Sequence, residues 1–245
     1  LATRKLIKLQ SAVTLEVMDP DGITRAEHIT PASCQSIPYD VSHTPTGWLS
    51  ELGAPTLYYI NLDMGSLLSL SDFTAALQEA QGAEGLILDM RGYPGIDHYA
   101  VAQHIMQDTF YSPWFTTTIW EGASSAAHDE SRYSLNPLGN PTYDGPIVLL
   151  VGPSTVIAAE NFASMIRERV TVVGRNSAAT NGNITGVKLP GGFGFTFTGM
   201  EVRYPDGSTY HQVCIIPDIE AEPTPAMIRD GVDAEISRAV QFLTQ

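Results

Sequence analysis

Two nearly continuous apolar runs stand out along this chain, Gly85-Leu-Ile-Leu-Asp-Met90 and Ile147–Val151. Runs of that length and polarity are typical of strands buried on both faces. Each run ends in a glycine and proline turn, Arg91-Gly-Tyr-Pro-Gly95 and Gly152-Pro153, and each turn leads into helical spacing. After the first, Asp97 precedes Ala100, Val101, His104 and Ile105; after the second, a helix is expected from about 156 to 168, followed by a strand at Val170–Gly174. Ahead of both, Thr56–Leu62 is rich in β-forming residues, and Ser69 to Asp72 opens a helix carrying Phe73, Ala76, Leu77 and Ala80. A final helix from about Asp233 carries Ile236, Ala239, Val240 and Leu243 on one face.

Alternating patterns flank this core. Residues 13–18 and Ile23–Ile29 form an expected hairpin about the turn Asp19-Pro-Asp-Gly22. Phe193–Thr198 and Met200–Tyr204 alternate as strands, Pro205-Asp206-Gly207 turns, and Val213–Ile216 is an expected strand stopped by Pro217. Residues 30–55 are rich in Pro, Ser and Thr and are expected to connect, and 121–145 are expected to form a long surface loop. A glycine- and asparagine-rich loop follows Gly174, at 177–183. The order of strands and helices predicts an α/β core with antiparallel additions.

Composition narrows the function. The chain has 245 residues, 43% hydrophobic and 16% charged, enough for a sizeable core. No apolar run approaches the roughly 18–20 residues that span a bilayer. The net charge is -14 and the lysines are Lys5, Lys8 and Lys188, which argues against nucleic acid or an anionic membrane as partner. Leu1 is not a translation start and no secretory signal pattern is visible, so a processed product or a piece of a longer chain is expected. Cys34 and Cys214 can pair or stay as thiols, and the count does not decide between them. Neither metal-ligand spacing nor a phosphate-loop context occurs, so no metal and no cofactor are expected.

The strand-to-helix corner at 152–160 is the strongest candidate for chemistry. A helix N-terminus offers free N–H groups and a positive dipole end, which suits a nucleophile and its developing oxyanion. Ser154 and Thr155 lie there, and as capping residues each would contribute roughly 1 kcal/mol.

Several motifs together resemble the tail-specific (C-terminal-processing) serine peptidase family, which includes the tricorn core and the chlamydial protease-like activity factor. Leu86–Gly95 is similar to that family's strand and Arg-x-x-Pro-Gly loop, and Ser154–Ala163 to its nucleophile helix. Val172-Val-Gly174, Thr180–Asn183 and Leu189–Gly192 resemble the next loop, and Cys214-Ile-Ile-Pro-Asp218 matches Gly-Ile-x-Pro-Asp except at its first position. The similarity runs from about Thr56 to Leu243, in the family's order. It implies a ClpP/crotonase-like core over 56–245, a connector over 34–55, and the end of a PDZ-like module over 1–33.

The resemblance also implies roles. The family's serine stands three residues before the glutamate matching Glu160, and Ile157 occupies that position. Three accounts of Ile157 stand: an inactive relative, a serine omitted or modified between Ile157 and Ala158, and, ranked below both, a displaced nucleophile at Ser154 or Thr155. The loop of Thr180 and Asn181 has no lysine, so a serine–histidine–acid arrangement is expected instead, with the histidine on a separate N-terminal piece or, more weakly, at His211. Among the other histidines His43, His98, His104 and His128 are possible bases, and His104 is expected to face the core. Glu160 is a weak candidate for the site, and Gly95 and Ala158 are candidates for oxyanion donors. The implied function is a serine peptidase cutting peptide or protein substrates through an acyl-enzyme, secreted or at the cell envelope. The alternatives are a non-catalytic relative that binds an apolar ligand or peptide, as retinoid-binding repeats do on this fold, with Tyr93, Phe110, Tyr111, Trp114, Phe115 and Trp120 as lining, or a partner that completes another chain's site.

Overall fold

The structure is a computed structural model that describes residues 13–19, 21–30, 44–66, 69–122 and 124–245. Cys34 and His43 lie outside the described residues. The chain divides into two units, Leu1–His43 with Pro223–Val232, and Thr44–Glu222 with Asp233–Gln245. In the first, strands β1 (Val13–Met18) and β2 (Thr24–Ile29) pair antiparallel with Val13 opposite Ile29. The Asp19 carboxylate accepts the N–H groups of Asp21 and Ile23 and shapes the turn between them.

The second unit is built on a sheet of β3 (Gly47–Leu49), β4 (Ala54–Asn61), β5 (Gly85–Asp89), β10 (Ile147–Val151), β11 (Thr171–Gly174) and β15 (Ile219–Glu220). Its order is β15-β11-β10-β5-β4-β3, parallel except for β3. Every residue of β5 and β10 is buried, as their unbroken apolar runs require. Alternate side chains serve opposite faces. Leu86, Leu88, Leu149 and Val151 pack with helices α1 (Leu70–Glu79), α2 (His98–Ile105) and α3 (Ala158–Ile166). Ile87, Val148, Leu150 and Val173 pack with Ile236 and Ala239 of α5 (Ala234–Leu243), the face its spacing predicts. A short helix α4 (Pro225–Arg229) belongs to the first unit.

Small antiparallel pieces surround the sheet. Strands β7 (Trp114–Gly122) and β8 (Ser125–Ser131) pair with β14 (Met200–Arg203), β6 (Phe110–Tyr111) with β9 (Ser134–Leu135), and β12 (Ile184–Leu189) with β13 (Phe193–Thr198). Three sequence expectations depart from the structure. Part of 121–145 is not loop but strand, because β8 is polar on both faces, exposed almost throughout, and gives no burial signal to read. Residues 213–216 form no strand. Gln212 and Cys214 both take φ 64°, which breaks an extended path, and the Ile215 N–H and C=O bond to Ser177 rather than to a ladder. Residues 47–54, expected within the connector, form β3 and the start of β4.

Parallel strands deliver their following loops to one edge, where open α/β sheets hold ligands. Leu150 pairs with Asp89 and Val151 with Gly174, so the loops after β5, β10 and β11 leave side by side. Gly174 permits this closeness: at φ 137°, an added Cβ would lie 2.0 Å from the Val151 carbonyl oxygen.

One cation braces the edge. The Arg91 guanidinium bonds both Asp89 oxygens, both Asp233 oxygens and Glu235, and Asp89 also accepts the Tyr59 hydroxyl at 2.6 Å. Burial opposes the charge, but the bonds to Asp89 and the charges of Asp89 and Asp233 outweigh it and hold the guanidinium above its ordinary pKa. Removing one partner of a buried pair leaves the other charge uncompensated. Arg91→Met should therefore lower the unfolding free energy by roughly 3 kcal/mol in urea titration, and Arg91→Lys by less because one charge is kept without the fork.

Candidate active site

The corner between β10 and α3 begins with Gly152 and Pro153. Thr155, wholly buried, fixes it: its hydroxyl accepts the Gly152 N–H at 2.9 Å and donates to the Met90 carbonyl at 2.8 Å. Met90 directly precedes the Arg91–Gly95 turn, so one side chain ties the corner to the glycine loop. Thr155 thus does not cap α3 as the sequence suggested. The helix is capped at Ile157, whose backbone sits at φ 48°, ψ -103°.

That conformation is rare for any residue with a side chain and rarer for a β-branched one. It holds because its surroundings force it. The Ile157 N–H donates to Glu160 Oε2 at 3.1 Å, and the Ile157 C=O accepts the Asn161 N–H at 2.9 Å. Isoleucine has no acceptor to offer the helix in return, so only the glutamate half of a capping box exists. The chain here reaches the surface: Pro153 and Ser154 are exposed and Ile157 is half-buried.

Glu160 is fully buried and is the centre of the site. Besides Ile157, its carboxyl accepts the Ser177 hydroxyl at 2.5 Å and the Ala179 N–H at 2.8 Å on Oε1, and the Thr180 N–H at 3.2 Å on Oε2. The Ser177 oxygen accepts the Ile215 N–H at 2.8 Å, which commits its proton to Glu160. All four groups donate, so the carboxyl acts as an acceptor throughout. Burial first, with the charge of Glu160 nearby, pushes the Tyr210 phenol far above its ordinary pKa, although its buried hydroxyl has no hydrogen-bond partner among the described residues, and burial beside Glu160 raises the Cys214 thiol. Cys214 is therefore not an activated thiolate. Its carbonyl accepts the Tyr204 hydroxyl at 2.6 Å.

Non-glycine residues with positive φ are Ile157, Ala179, Gln212 and Cys214 among those described. Two donate to Glu160 directly, and the other two follow Tyr210 in the turn beside it. Backbone strain gathers at functional sites, and here it gathers around one carboxyl.

The glycine loop has its own support. Asp63 Oδ1 accepts the Tyr93 N–H at 2.8 Å, and a Cβ at Gly92 would fall 2.0 Å from that oxygen, so a side chain there would push the carboxylate off that bond. Met64 N–H donates to the Tyr93 carbonyl at 2.7 Å. The two candidate oxyanion donors differ. The Gly95 N–H makes a long bond to the Leu62 carbonyl at 3.3 Å, whereas the Ala158 N–H has no partner among the described residues.

Ile157, Ala158 and Glu160 share the first turn of α3, and Gly95 lies on the loop that Thr155 anchors. His211 lies in a turn rather than on a strand, and its Nε2 accepts the Val202 N–H at 3.0 Å, so that lone pair is engaged. His104 is buried in the core with Nδ1 on the Pro141 carbonyl, and His128 lies on exposed β8. His98 opens α2 directly after the glycine loop, with its buried Nε2 unpartnered among the described residues. A cavity of about 660 Å³ lies at the far end of α3, lined by Met106, Phe110, Met165, Arg169 and Tyr204, away from the corner. Of the aromatic residues expected to line a pocket, Phe110 and Tyr111 line this cavity, while Trp120 is 69% exposed.

Sequence reading did not single out Ser177, Tyr210 or Asp63. Each is an ordinary residue type in a loop, and only the buried Glu160 or a sterically demanding glycine gives it meaning.

The model of peptidase family S41 matches residues 57–221, two thirds of the chain. The chain belongs to peptidase family S41. A carboxyl-terminal-processing protease of Picosynechococcus sp. is 24% identical over 208 residues, covering 80% of this chain and 47% of that protein. One from Synechocystis sp. is 26% identical over 197 residues, covering 76% of this chain and 43% of that protein. This chain therefore spans less than half the length of these curated relatives. The solved structure of mature CPAF complexed with lactacystin superposes with a TM-score of 0.67 at 14% identity, covering 95% of this chain and 67% of that one. At that identity the likeness is one of fold: a mixed α/β architecture shared with an S41-type peptidase domain.

Two outcomes follow from the site. Glu160→Ala strands four donors and should cost more than about 4 kcal/mol in chemical denaturation, while Glu160→Gln, which keeps Oε1, should cost roughly 2 kcal/mol. Losses below about 1 kcal/mol for both would remove Glu160 from its central place. The second concerns pH. Burial lowers the His98 pKa from its ordinary 6.5, against the pull of Asp97. The folded chain thus disfavours imidazolium, and this contribution is present above the unfolded pKa and lost as pH falls below it. Across about pH 7 to about pH 5, the melting temperature of His98→Phe should fall less than that of the parent chain.

Proposed function

We propose that the chain carries the reaction corner of a serine-type, carboxyl-terminal-processing peptidase, acting on peptide or protein substrates through an acyl-enzyme. The observation that supports this most is the backbone at 157: a forced positive-φ elbow at the N-terminus of a buried helix, with an N–H at Ala158 directly after it that has no partner among the described residues. A hydroxyl carried on that elbow would attack the substrate carbonyl and pass its proton to a base. The Ala158 N–H, joined by Gly95 once it releases Leu62, would hold the resulting oxyanion. The base in this reading is a histidine from an N-terminal piece, with His211 the weaker candidate because its Nε2 is engaged.

The finer architecture belongs to the same reading. Residues 56–245, joined by the strand residues of β3 and the start of β4, serve as a ClpP/crotonase-like core, 1–33 as the end of a PDZ-like module and the rest of 34–55 as the connector. A secreted or cell-envelope location goes with the lineage, and among the described residues no helix is long and apolar enough to cross a membrane.

A second reading is favoured by one observation. The side chain on the elbow is isoleucine, which has no oxygen, so the peptidase reading requires a serine between Ile157 and Ala158. Without it, the same corner binds a peptide, or completes another chain's site, without cutting.

Intact mass and fluorophosphonate labelling separate the two. The peptidase reading expects a mass above that of the written sequence by one serine residue, modified or not, and covalent label on a peptide containing 152–160. A mass equal to the written sequence with no label overturns it in favour of the non-cleaving relative.

A further inference from the structure

The hairpin of β12 and β13 leaves the loop that binds Glu160. Asn181 bonds the buried Asn161 at 2.6 Å, and the Gly199 N–H closes the base on the Asn183 carbonyl at 3.0 Å. Glycine is obligatory at that base: a Cβ would fall 2.4 Å from the Met200 carbonyl oxygen at Gly182 and 1.9 Å from Thr185 Oγ1 at Gly199. The ribbon's direction is therefore fixed relative to the corner.

Its composition is unlike the rest of the chain. Phe193, Phe195 and Phe197 stand opposite Leu189, Val187 and Thr185, which puts all six on one face. The three phenylalanines are 61, 50 and 47% exposed. The other face carries Gly186, Gly194, Thr196, Thr198, Ile184 and Lys188. Residues 184–198 contain no acid in a chain of net charge -14, and exposed Lys188 has no ion-pair partner among the described residues. Among the described residues the two strands pair only with each other, which leaves the outer edge of β12 without a ladder partner there. Open apolar edges invite strand addition, and natural proteins normally blunt them.

We propose that β12 is a docking strand for an extended peptide that alternates apolar and acidic side chains. Added beside β12, such a strand continues the phenylalanine face with its apolar residues and sets its carboxylates on the face of Lys188. The match is one of period as well as charge, since each strand shows its two faces alternately. The proposal rests on the peptide-processing reading for its substrate class, but binding here needs no nucleophile.

The test is fluorescence anisotropy at physiological ionic strength, which screens the chain's general negative field beyond about 8 Å. The probes are three fluorescein-labelled hexapeptides: one alternating valine and glutamate, one alternating valine and lysine, and the first with proline at its third position. The valine–glutamate peptide should bind, and the proline peptide should not. Lys188→Glu should weaken valine–glutamate binding about three- to tenfold and leave valine–lysine binding no weaker. Phe195→Ser should weaken it by about tenfold or more, at an unchanged melting temperature because the side chain lies outside the core. The proposal is overturned if the valine–glutamate peptide fails to bind, if either substitution leaves its binding unchanged, or if the proline peptide binds equally well. Sedimentation equilibrium that shows a dimer dissolved by Phe195→Ser also overturns it, since a second copy then covers the face. Peptide binding without fluorophosphonate labelling would defeat only the peptidase reading, and labelling without peptide binding only the docking strand.

Discussion

The acceptance of four hydrogen bonds by one buried carboxyl holds this site together. Glu160 sits at zero exposure inside a helix whose nine residues are all buried. An unpaired carboxylate there would be prohibitively costly. Paired as it is, it becomes the fixed point to which the elbow at Ile157 and the loop of Ser177, Ala179 and Thr180 are both fastened. The strain at Ile157 and Ala179 persists because relaxing either residue would withdraw an N–H from that carboxyl. Strain of order 1–3 kcal/mol per residue is sustained by bonds that are expensive to leave unmade.

A second pair of ties brings the glycine loop to the same place. Thr155 joins the corner to Met90 through its hydroxyl, and Arg91 binds the end of β5 to α5 through Asp89, Asp233 and Glu235. These ties lie on opposite sides of the Met90–Arg91 peptide. The loop that follows has little freedom except at its tip, where Tyr93 and Gly95 are exposed. Parallel strand pairing supplies the coarse alignment of the three loops, and these few polar side chains supply the fine one. The partition is physically reasonable: ladder register repeats over several ångströms, whereas a reaction site tolerates errors of about 1 Å or less.

Much of this was legible in the chain. The buried runs at 85–90 and 147–151, the caps Ser69, Asp97 and Asp233, and the apolar face of α5 were visible because burial imposes a period or an unbroken run. The motifs, in the order they occur, resemble those of the family, and that resemblance pointed to it. What escaped notice lacked such a signature. Strand β8 is held by ladder bonds and not by burial, so its sequence looks like a loop. Residues 213–216 look like a strand, but the two residues at φ 64° turn the segment toward Ser177. Thr155 was recognised as a polar residue near a helix start, yet its bonds run backward to Gly152 and across to Met90. Glu160 stood out only as a weak site candidate in the first turn of a helix, because the partners that define it lie up to twenty residues away along the chain.

The elbow's shape and the side chain it displays are separate properties. Residue 157 contributes only its N–H and C=O to the bonds that fix it, both from the backbone. A serine there would return a hydrogen bond to the helix, as N-cap residues do, and ease the cost of its own conformation. Isoleucine returns nothing, so the whole of that cost falls on Glu160 and its neighbours. The backbone at this position is therefore dictated by residues elsewhere, and it stands with isoleucine, whose side chain carries no oxygen, displayed on it. Family and fold can be read from the supporting network, whereas the proposed reacting oxygen is a separate requirement that the network does not itself demand.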